Sequence, residues 1–491
     1  MRKLLGLCAL LLAALASSAA ASGAIEASDG TGVARTVTPA CTTPAPVHTY
    51  TYYHCYTPQQ IRAAYGVDSL GNPATGTGLL GQGQTIVLVD SYGDPTGAAD
   101  LQAYHDAFYP NLPNPNYTPV YPNGSPDYSN VGNGQSGSSG AAGWAGEAAL
   151  DIEWSYAIAP LAHIVLIGVP PAETEGVQGF PNLFKAISDA VDAYPSGTVF
   201  SMSFGVTEQT FGGATGQPTK KFDAVFQAGI AKGDTFFASS GDNGSLGVSK
   251  RHRDSVVYPY PTDGWPASSP YVTSVGGTQL QFGWRWNPQS DISFTAAGGF
   301  NAPYWQTAFA ASPLNVVWNE SWLPAATGGG PSVLYTRPDW QQGVLASAGN
   351  HRLVPDLAWD AAVNGGVLVY TSFFPSIYRV GWHVYGGTSA GSPQVAGLTA
   401  LAVQRAGHGL GNINAAIYAH PEAFTDVQPI RQGSPSIISG DLSTNRMFDY
   451  NGDGLAVTWD PVAGWPTTSG YDMTTGFGVP DASKYVAALG G

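Results

Sequence analysis

Charged side chains are scarce in this sequence of 491 residues, where Asp, Glu, Lys and Arg together make up 11%. An average globular protein contains about 25%. Basic residues are the rarer sign, with 19 Lys and Arg against 34 Asp and Glu. We expect no nucleic-acid partner, because such a partner requires a basic face. Few charges also mean little self-repulsion when carboxylates take up protons, so the composition suits an acidic environment.

Long apolar runs are missing after the N-terminus, which reads MRKLLGLCALLLAALASSAAASG. Its short basic start, apolar stretch and small residues before a cleavage point after Ala21 are typical of a secretory signal. The apolar stretch is shorter than the roughly 20 residues that cross a bilayer. We therefore expect residues 1–21 to be a signal peptide, and the mature protein to be secreted, soluble and without a membrane partner.

Cysteine is nearly absent, with three residues in the whole chain. Cys8 is removed with the predicted signal, which leaves Cys41 and Cys55 as an even pair in an oxidising compartment. We expect these two to form a disulfide. No cysteine then remains as a nucleophile, and no Cys/His cluster indicates zinc.

Two regions follow the predicted signal. Residues 22–54 are predicted to form a flexible leader, because their start is rich in Ser, Ala, Thr, Gly and Pro. Residues 55–491 are predicted to form one α/β domain with a central, mostly parallel sheet flanked by helices, because buried strands alternate with helices. The region 282–345 lacks any period and predicts long ordered loops. Strands are predicted at 85–91, 162–169, 197–204, 235–240 and 366–372, and helices at 57–68, 97–109, 144–158, 181–193, 221–232 and 389–406.

A serine nucleophile is predicted in YGGTSAGSPQVAGLTALAV, residues 385–403, where Ser389 follows a small, flexible run and begins an apolar segment with helical spacing. Such a serine needs a base. None of the nine histidines has the His-Gly-Thr or His-Gly-Ser context of a subtilisin-like base. His105 is predicted to lie on a helix surface, and His383 on an extended segment. A histidine base is therefore poorly supported.

A pair of carboxylates offers a different base. Glu147 and Asp151 lie four residues apart on the predicted helix in WAGEAALDIEWSYAIAP, and such residues share one helix face. Two adjacent carboxylates repel each other when both ionise, so they share a proton. The alternative is a solvated acidic face, but this helix is otherwise apolar, which favours a partly buried cleft. In acid, where histidine is protonated, a shared-proton pair can serve as the base.

A further carboxylate follows a predicted buried strand in FFASSGDNGS. Asp242 is expected at the C-terminal edge of the sheet, where open α/β sheets bind ligands. The alternative is an ordinary turn aspartate, because Gly-Asp-Asn-Gly is favourable turn chemistry.

Together these segments resemble the serine-carboxyl peptidases of the sedolisin family, which share a subtilisin-like three-layer fold. GGTSAGSP resembles the family's Ser-Gly-Thr-Ser-x-x-x-Pro motif, with Gly386 replacing the first serine. GEAALDIE resembles its Glu-x-x-x-Asp helix, and SSGDNGS the strand end that carries its oxyanion aspartate. The segments VVWNESW, GGGPS, YTRPDWQ and RLVPDLAWDA also resemble family landmarks. The resemblance extends from about residue 55 to the C-terminus.

The resemblance implies an acid-active endopeptidase that works through an acyl-enzyme. Ser389 is then the nucleophile, and Glu147 takes its proton and later gives it to the leaving amine. Asp151 orients Glu147 and shares the proton. Asp242, when protonated, donates a hydrogen bond to the oxyanion.

The resemblance also implies how a polypeptide substrate binds. It is expected as an extended strand against FSMSFGV, with Ser203, Phe204 and Gly205 nearest to it. Phe204 could equally be an ordinary core residue. The protein is expected to be a monomer.

A Ca²⁺ site is implied by likeness of FTDVQP and TTSGYDMTTGFG to the family's calcium-binding segments. The segment 449–460 between them matches part of an EF-hand-like loop, but a hydrophilic turn is the favoured interpretation. The implied ligands are the side chains of Asp426 and Asp472 and the carbonyls of Val427, Thr468 and Gly470.

Two other functions are compatible with the sequence. One is a catalytically silent relative that only binds, and the other is a subtilisin-type hydrolase that uses Asp90 with a histidine. Family members generally carry a large prosegment, whereas only residues 22–54 separate the predicted signal from the domain, so the route of maturation is open.

Overall fold

An eight-stranded sheet lies at the centre of the protein, which is described here from a computed structural model. In chain order its strands are β1 (Thr85–Asp90), β2 (Asn116–Val120), β3 (His163–Gly168), β4 (Val199–Met202), β5 (Thr235–Ser239), β6 (Thr273–Gln281), β7 (Leu314–Val317) and β8 (Leu357–Asp360). Neighbouring strands follow the order β7-β6-β5-β4-β1-β3-β2, and β8 pairs with β6. These pairs are parallel except for β6 with β7, which is antiparallel.

The structure describes residues 25–26, 55–126, 128, 141–169, 179–211, 217–249, 256–281, 313–320, 325–363, 365–373, 380–429, 442–447, 449–450, 456–457 and 462–490. Within these ranges the helices are α1 (Pro58–Ala64), α2 (Gly97–Phe108), α3 (Ala141–Ile158), α4 (Phe180–Ala193), α5 (Gln217–Lys232), α6 (Thr388–Ala406), α7 (Asn414–Ala419) and α8 (Ala482–Gly490). No helix in these ranges combines the length and apolarity needed to cross a bilayer.

The central strands bury both of their faces. In β1, Ile86 and Leu88 contribute to one apolar cluster, which also contains side chains of α3 and α6. Val87 and Val89 contribute to a second cluster, which contains side chains of α4 and α5. Because successive strand side chains point to opposite faces, a strand covered on both sides must be apolar at every position. This is why the run TIVLV contains no polar alternation.

Helix α6 carries the predicted nucleophile into the middle of the protein. It is buried from Thr388 to Val403, and it packs closely against α3. A Cβ on Gly397 would lie 2.9 Å from Ile158 Cβ, so glycine is what allows this approach. The helix ends at Gly407, whose left-handed backbone (φ 72°) lets its N–H donate to the Val403 carbonyl.

A smaller sheet leads into α6. Its hairpin consists of β9 (Gly366–Thr371) and β10 (Gly381–Gly386), and β10 ends three residues before Ser389. Trp154 on α3 donates from its indole Nε1 to the Leu368 carbonyl at 2.8 Å. The hairpin is therefore attached to the helix that carries the two predicted acids.

Two short segments extend this smaller sheet. Cys55–Tyr56 pairs with β9, and Ile25–Glu26 pairs antiparallel with Tyr385 and Gly386 of β10. Ile25 and Glu26 belong to the segment predicted as a flexible leader, so these two residues depart from that prediction by joining a strand. Cys55 is buried and disulfide-bonded, whereas Cys41 lies outside the described residues.

The α/β architecture predicted from the sequence is confirmed, and the predicted helices and strands agree with the structure to within a few residues. The prediction of loops over 282–345 is wrong for the part that the structure describes. Strands occupy Leu314–Val317 and Gly330–Thr336 in that region, because these residues pair with neighbours remote in sequence. The sequence pattern also missed strands β2, β6, β8 and β10 and helices α7 and α8.

Candidate active site

The two predicted acids are fully enclosed. Glu147 and Asp151 lie one turn apart in α3 and are 1% and 0% exposed. Their helix neighbours Ala148 and Leu150 are buried as well. The alternative of a solvated acidic face is therefore wrong, since a solvated face requires exposure to water.

Helices α3 and α6 run side by side in the same direction. At their N-terminal ends, a Cβ on Gly146 of α3 would lie 2.8 Å from the hydroxyl oxygen of Tyr385. Tyr385 lies three residues before the start of α6. Further along, a Cβ on Gly397 would lie 3.1 Å from the Ser155 carbonyl oxygen. Both contacts depend on glycine, because any side chain would separate the helices.

This alignment sets the nucleophile and the acids at the same level. Ser389 is the second residue of α6 and is 0% exposed. Ser389 lies four residues after Tyr385, and Glu147 and Asp151 lie one and five residues after Gly146. All three therefore lie near the end of the helix pair where Gly146 meets Tyr385. The N-terminal part of α6, which carries the predicted serine, therefore lies beside the part of α3 that carries the predicted carboxyl pair.

The end of strand β4 contacts both helices. Ser203 donates from Oγ to Asp151 Oδ1 at 2.9 Å. Two residues earlier, Ser201 Oγ lies 2.8 Å from Ser392 Oγ, one helical turn after the predicted nucleophile. Because one short stretch of chain contacts Asp151 and Ser392, it holds the acid helix and the nucleophile helix at a fixed separation.

Burial and like charges act together on Asp151. Burial raises the pKa of Asp151 well above its usual range, and the nearby carboxyls of Asp90 and Glu147 raise it further. The hydrogen bond from Ser203 lowers this pKa, because a donor stabilises the ionised form. The net direction is upward, so a proton is retained by this group of acids.

The oxyanion candidate contacts the residue just before the nucleophile. Asp242 follows β5, and its Oδ1 accepts hydrogen bonds from the Thr388 backbone N–H at 2.8 Å and the Thr388 hydroxyl at 2.7 Å. Within the described ranges, Asp242 Oδ2 has no hydrogen-bond partner. Since Thr388 directly precedes Ser389, the free oxygen of Asp242 is available beside the nucleophile.

A glycine makes room for that carboxyl. Gly387 has a φ of 97°, and a Cβ there would lie 2.8 Å from Asp242 Oδ2. Both the left-handed backbone and the close approach require glycine. Burial raises the pKa of Asp242 to about 6, although the two bonds from Thr388 oppose the shift. The carboxyl is consequently neutral in acid and can donate a hydrogen bond.

The predicted substrate edge directly follows β4. Ser203 and Phe204 are buried, and Gly205 is partly exposed. Phe204 packs its ring 6.1 Å from that of Phe180, inside the apolar cluster with α4 and α5. Its side chain therefore belongs to the core, as the alternative interpretation held.

The two predicted calcium segments meet in space. Asp426 Oδ2 accepts a hydrogen bond from the Gly470 N–H at 2.8 Å, and Asp426 Oδ1 has no hydrogen-bond partner in the described part of the chain. Asp472 is buried, and its Oδ1 accepts the N–H groups of Thr474 and Thr475 at 2.9 and 2.8 Å. The Asp426 carboxylate thus has a free oxygen for a cation, whereas Asp472 chiefly organises its own loop.

Other possible metal ligands are few. The described residues contain no group of three or more His, Cys, Asp and Glu side chains suited to a metal ion. In the segment 449–460, Asp449–Tyr450 pairs with Ala456–Val457, and the remaining residues lie outside the described ranges.

The two histidines considered as possible bases, His105 and His383, occupy structural positions. His105 was predicted on a helix surface, but it is buried, and its Nδ1 lies 2.6 Å from the Tyr156 hydroxyl. That prediction is wrong because α2 packs against α3 on the side that carries His105. His383 lies on β10 opposite Val369, in the position of a strand residue.

Two contributions to the site were missed at the level of sequence. Asp90 was considered only as a partner of histidine, yet its carboxyl acts on Asp151. It ends an apolar strand, so the same edge rule that identified Asp242 could have found it. Ser203 was considered only for its backbone at the substrate edge, and no sequence signal showed that its hydroxyl would contact Asp151.

Comparison with known proteins places the chain among peptidases. Residues 81–417 match the model of the subtilase family. Sedolisin of Pseudomonas sp. is 31% identical over 269 residues, which are 52% of this chain and 38% of sedolisin. Kumamolisin of Bacillus sp. is 28% identical over 441 residues, which are 87% of this chain and 64% of kumamolisin. The chain thus spans less than two thirds of the length of these relatives.

A solved structure shares the fold. The structure of Pseudomonas sedolisin, a serine-carboxyl proteinase complexed with pseudo-iodotyrostatin, matches with a TM-score of 0.59 and 24% sequence identity. The match covers 89% of this chain and 98% of that chain. The likeness confirms the predicted subtilisin-like fold.

Proposed function

Because the chain belongs to the subtilase family, we propose that it is a secreted serine-carboxyl peptidase that hydrolyses polypeptides at acidic pH. The resemblance to the sedolisin group, expected from the motifs, is confirmed by the relatives found. The observation that carries the proposal is the contact between Asp242 and Thr388, the residue before Ser389. The burial of the two acids of α3 supports it as well.

The proposed reaction begins at Ser389. Its Oγ attacks the scissile carbonyl carbon, and its proton passes to Glu147. The tetrahedral intermediate collapses when Glu147 returns that proton to the leaving amine, which leaves an acyl-enzyme that water hydrolyses. Asp151 shares a proton with Glu147 throughout, because two buried carboxylates this close cannot both remain ionised.

Asp242 is proposed to stabilise the oxyanion. Thr388 engages Oδ1, so the proton of the neutral carboxyl resides on Oδ2, which has no other partner. A neutral acid donor at this place is pre-organised for the developing negative charge. The donor is lost when Asp242 ionises, so activity should fall as the pH rises through about 6.

The proposed substrate is a polypeptide bound as an extended strand beside Ser203, Phe204 and Gly205. Support comes from the partly exposed Gly205, which lies two residues after Ser203, the residue that contacts Asp151. A monomer, a signal peptide over residues 1–21, a leader over 22–54 and a Cys41–Cys55 disulfide complete the proposal. The buried, disulfide-bonded Cys55 supports the last of these.

Digestion of an unfolded protein substrate tests the proposal. We expect the wild type to cleave it in acid and to lose activity as the pH passes about 6, because Asp242 ionises there. The Ser389→Ala variant should not cleave at any pH. A histidine-based hydrolase would instead lose activity below about pH 6, and a silent relative would not cleave at all, so either result would contradict the proposal.

A bound Ca²⁺ is part of the proposal. Asp426, with its free Oδ1, fits such an ion, and Asp472 with the carbonyls of Val427, Thr468 and Gly470 would complete an all-oxygen site. When bound, the ion would tie two loops together. At a hundredfold excess over its Kd, a ligand of the native state adds about 2.7 kcal/mol to the free energy of unfolding.

Chelation tests the calcium site. We expect EGTA to lower the Tm of the wild type and Ca²⁺ to restore it, because the ion binds only the folded loops. The Asp426→Asn variant should have a low Tm that responds to neither. Equal Tm values for the wild type with EGTA and with Ca²⁺ would show that these loops need no ion.

A further inference from the structure

The Ser203 hydroxyl makes the two carboxyl oxygens of Asp151 inequivalent. Ser203 is 0% exposed, and its Oγ donates to Asp151 Oδ1 at 2.9 Å. Asp151 Oδ2 has no hydrogen-bond partner among the residues that the structure describes. Oδ1 is therefore committed to the hydroxyl, and Oδ2 is the oxygen left to hold a proton shared with Glu147.

We infer that Ser203 is a positioning residue for the carboxyl pair, whose side chain fixes the Asp151 carboxyl in one orientation so that the shared proton lies toward Glu147. The inference rests on the proposed function, which needs Glu147 to be the acid that accepts the serine proton. It gives the Ser203 side chain a role separate from the backbone role expected at the substrate edge.

The surroundings of Asp151 make this single donor important. The charged groups that act on its carboxyl are Glu147 from its own helix and Asp90 from the end of β1, and both favour the protonated form. The Ser203 hydroxyl from the end of β4 is the opposing contribution. Without the Ser203 hydroxyl, a protonated Asp151 could carry its proton on either oxygen. A proton on Oδ1 could not be shared with Glu147.

The strand provides a matched control two residues earlier. Ser201 is equally buried, and its hydroxyl bonds to the Ser392 hydroxyl at 2.8 Å. Ser201→Ala and Ser203→Ala both remove one buried hydroxyl from the same stretch of chain. Only the second removes a donor to a titrating group, so a purely structural effect would be common to both.

The experiment measures kcat and KM of the wild type, Ser203→Ala, Ser203→Thr and Ser201→Ala on one fluorogenic peptide across the acidic range. For Ser203→Ala we expect kcat to fall roughly tenfold to a hundredfold, as for loss of a hydrogen bond to a charged group. KM should stay the same, because alanine keeps the backbone that faces the substrate. Ser203→Thr retains the hydroxyl and should recover most of the rate.

The pH profile carries the decisive information. In strong acid a second proton reaches the pair and Glu147 can no longer accept one. Loss of the Ser203 donor raises the proton affinity of the pair, so the acid limb of kcat/KM should move up by about half a pH unit to one unit. In Ser201→Ala the acid limb of kcat/KM should lie at the same pH as in the wild type, whatever the effect of the substitution on stability.

An unchanged acid limb in Ser203→Ala would overturn the inference, as would a rise in KM without any shift of that limb. An inactive wild type would instead refute the proposed function. In that case urea unfolding still tests the contact. The loss of unfolding free energy in Ser203→Ala should grow as the pH rises above the folded pKa of Asp151 in the wild type, since the variant raises that pKa further. In Ser201→Ala the loss should not change with pH, and equal behaviour of the two variants would overturn the inference.

Discussion

Replacing Glu147 by glutamine is expected to lower kcat/KM by roughly 10⁴-fold or more, as for removal of the base in other serine peptidases. Glutamine has nearly the same shape but cannot accept the Ser389 proton or return it to the leaving amine. The shared proton on Asp151 also loses its second acceptor. KM should change little, because Glu147 lies in α3 and not at the substrate edge. Steady-state kinetics on one peptide near the acid optimum checks this.

Glu153 provides the control for that substitution. It lies in the same helix, is 1% exposed, and accepts a hydrogen bond from the Tyr370 N–H at 2.9 Å on the β9–β10 hairpin. Glu153→Gln makes the same chemical change away from Ser389, so kcat/KM should stay within roughly tenfold of the wild type. If Glu147→Gln were no more impaired than Glu153→Gln, the acid pair could not be the base.

The free energy of unfolding is expected to fall steeply as the pH rises from about 4 to about 7. Burial raises the pKa of Asp94 and Glu208 to about 7 and the pKa of Asp223 and Asp242 to about 6. Between the unfolded value near 4 and these folded values, the native state binds more protons than the unfolded chain. The stabilisation is therefore complete below about pH 4 and is lost as the pH passes through 6 and 7.

Asp94 alone illustrates the size of the effect. A rise from 3.8 to about 7 corresponds to a contribution on the order of 4 kcal/mol, lost between acid and neutral pH. Urea unfolding at several pH values measures it, with Ser389→Ala used throughout to prevent self-digestion. Removing the buried carboxyl in Asp94→Asn should make the dependence on pH shallower.

An exposed acid in the same region serves as the comparison. Asp106 lies in α2, and its side chain is 67% exposed. Asp106→Asn removes a carboxyl from an exposed position, so it controls for the loss of a carboxyl as such. Stability that stays constant or increases from acid to neutral pH would contradict the inferred protonation of the buried carboxyls.

The regular elements show which patterns are legible in a sequence. Strand β1 and helix α6 were predicted within a residue or two, because continuous burial leaves an apolar run or helical spacing. Strand β6 was missed, because TSVGGTQLQ contains glycines and polar residues. Those glycines are needed for packing: a Cβ on Gly276 would lie 2.6 Å from Pro355, and one on Gly277 would lie 2.8 Å from Trp318.

By itself the sequence determined six of the eight helices that the structure describes, the apolar strands β1, β3, β4, β5 and β9, the family and the four residues proposed to carry the chemistry, because each of these depends on a short local pattern. The tertiary structure alone decided that Asp90 acts on Asp151, that Ser203 donates to it, and that His105 and the Phe204 side chain are buried. The physical reason is that proton affinity depends on burial and on neighbouring charges. Both are set by chain segments far apart in sequence, which only the folded chain brings together.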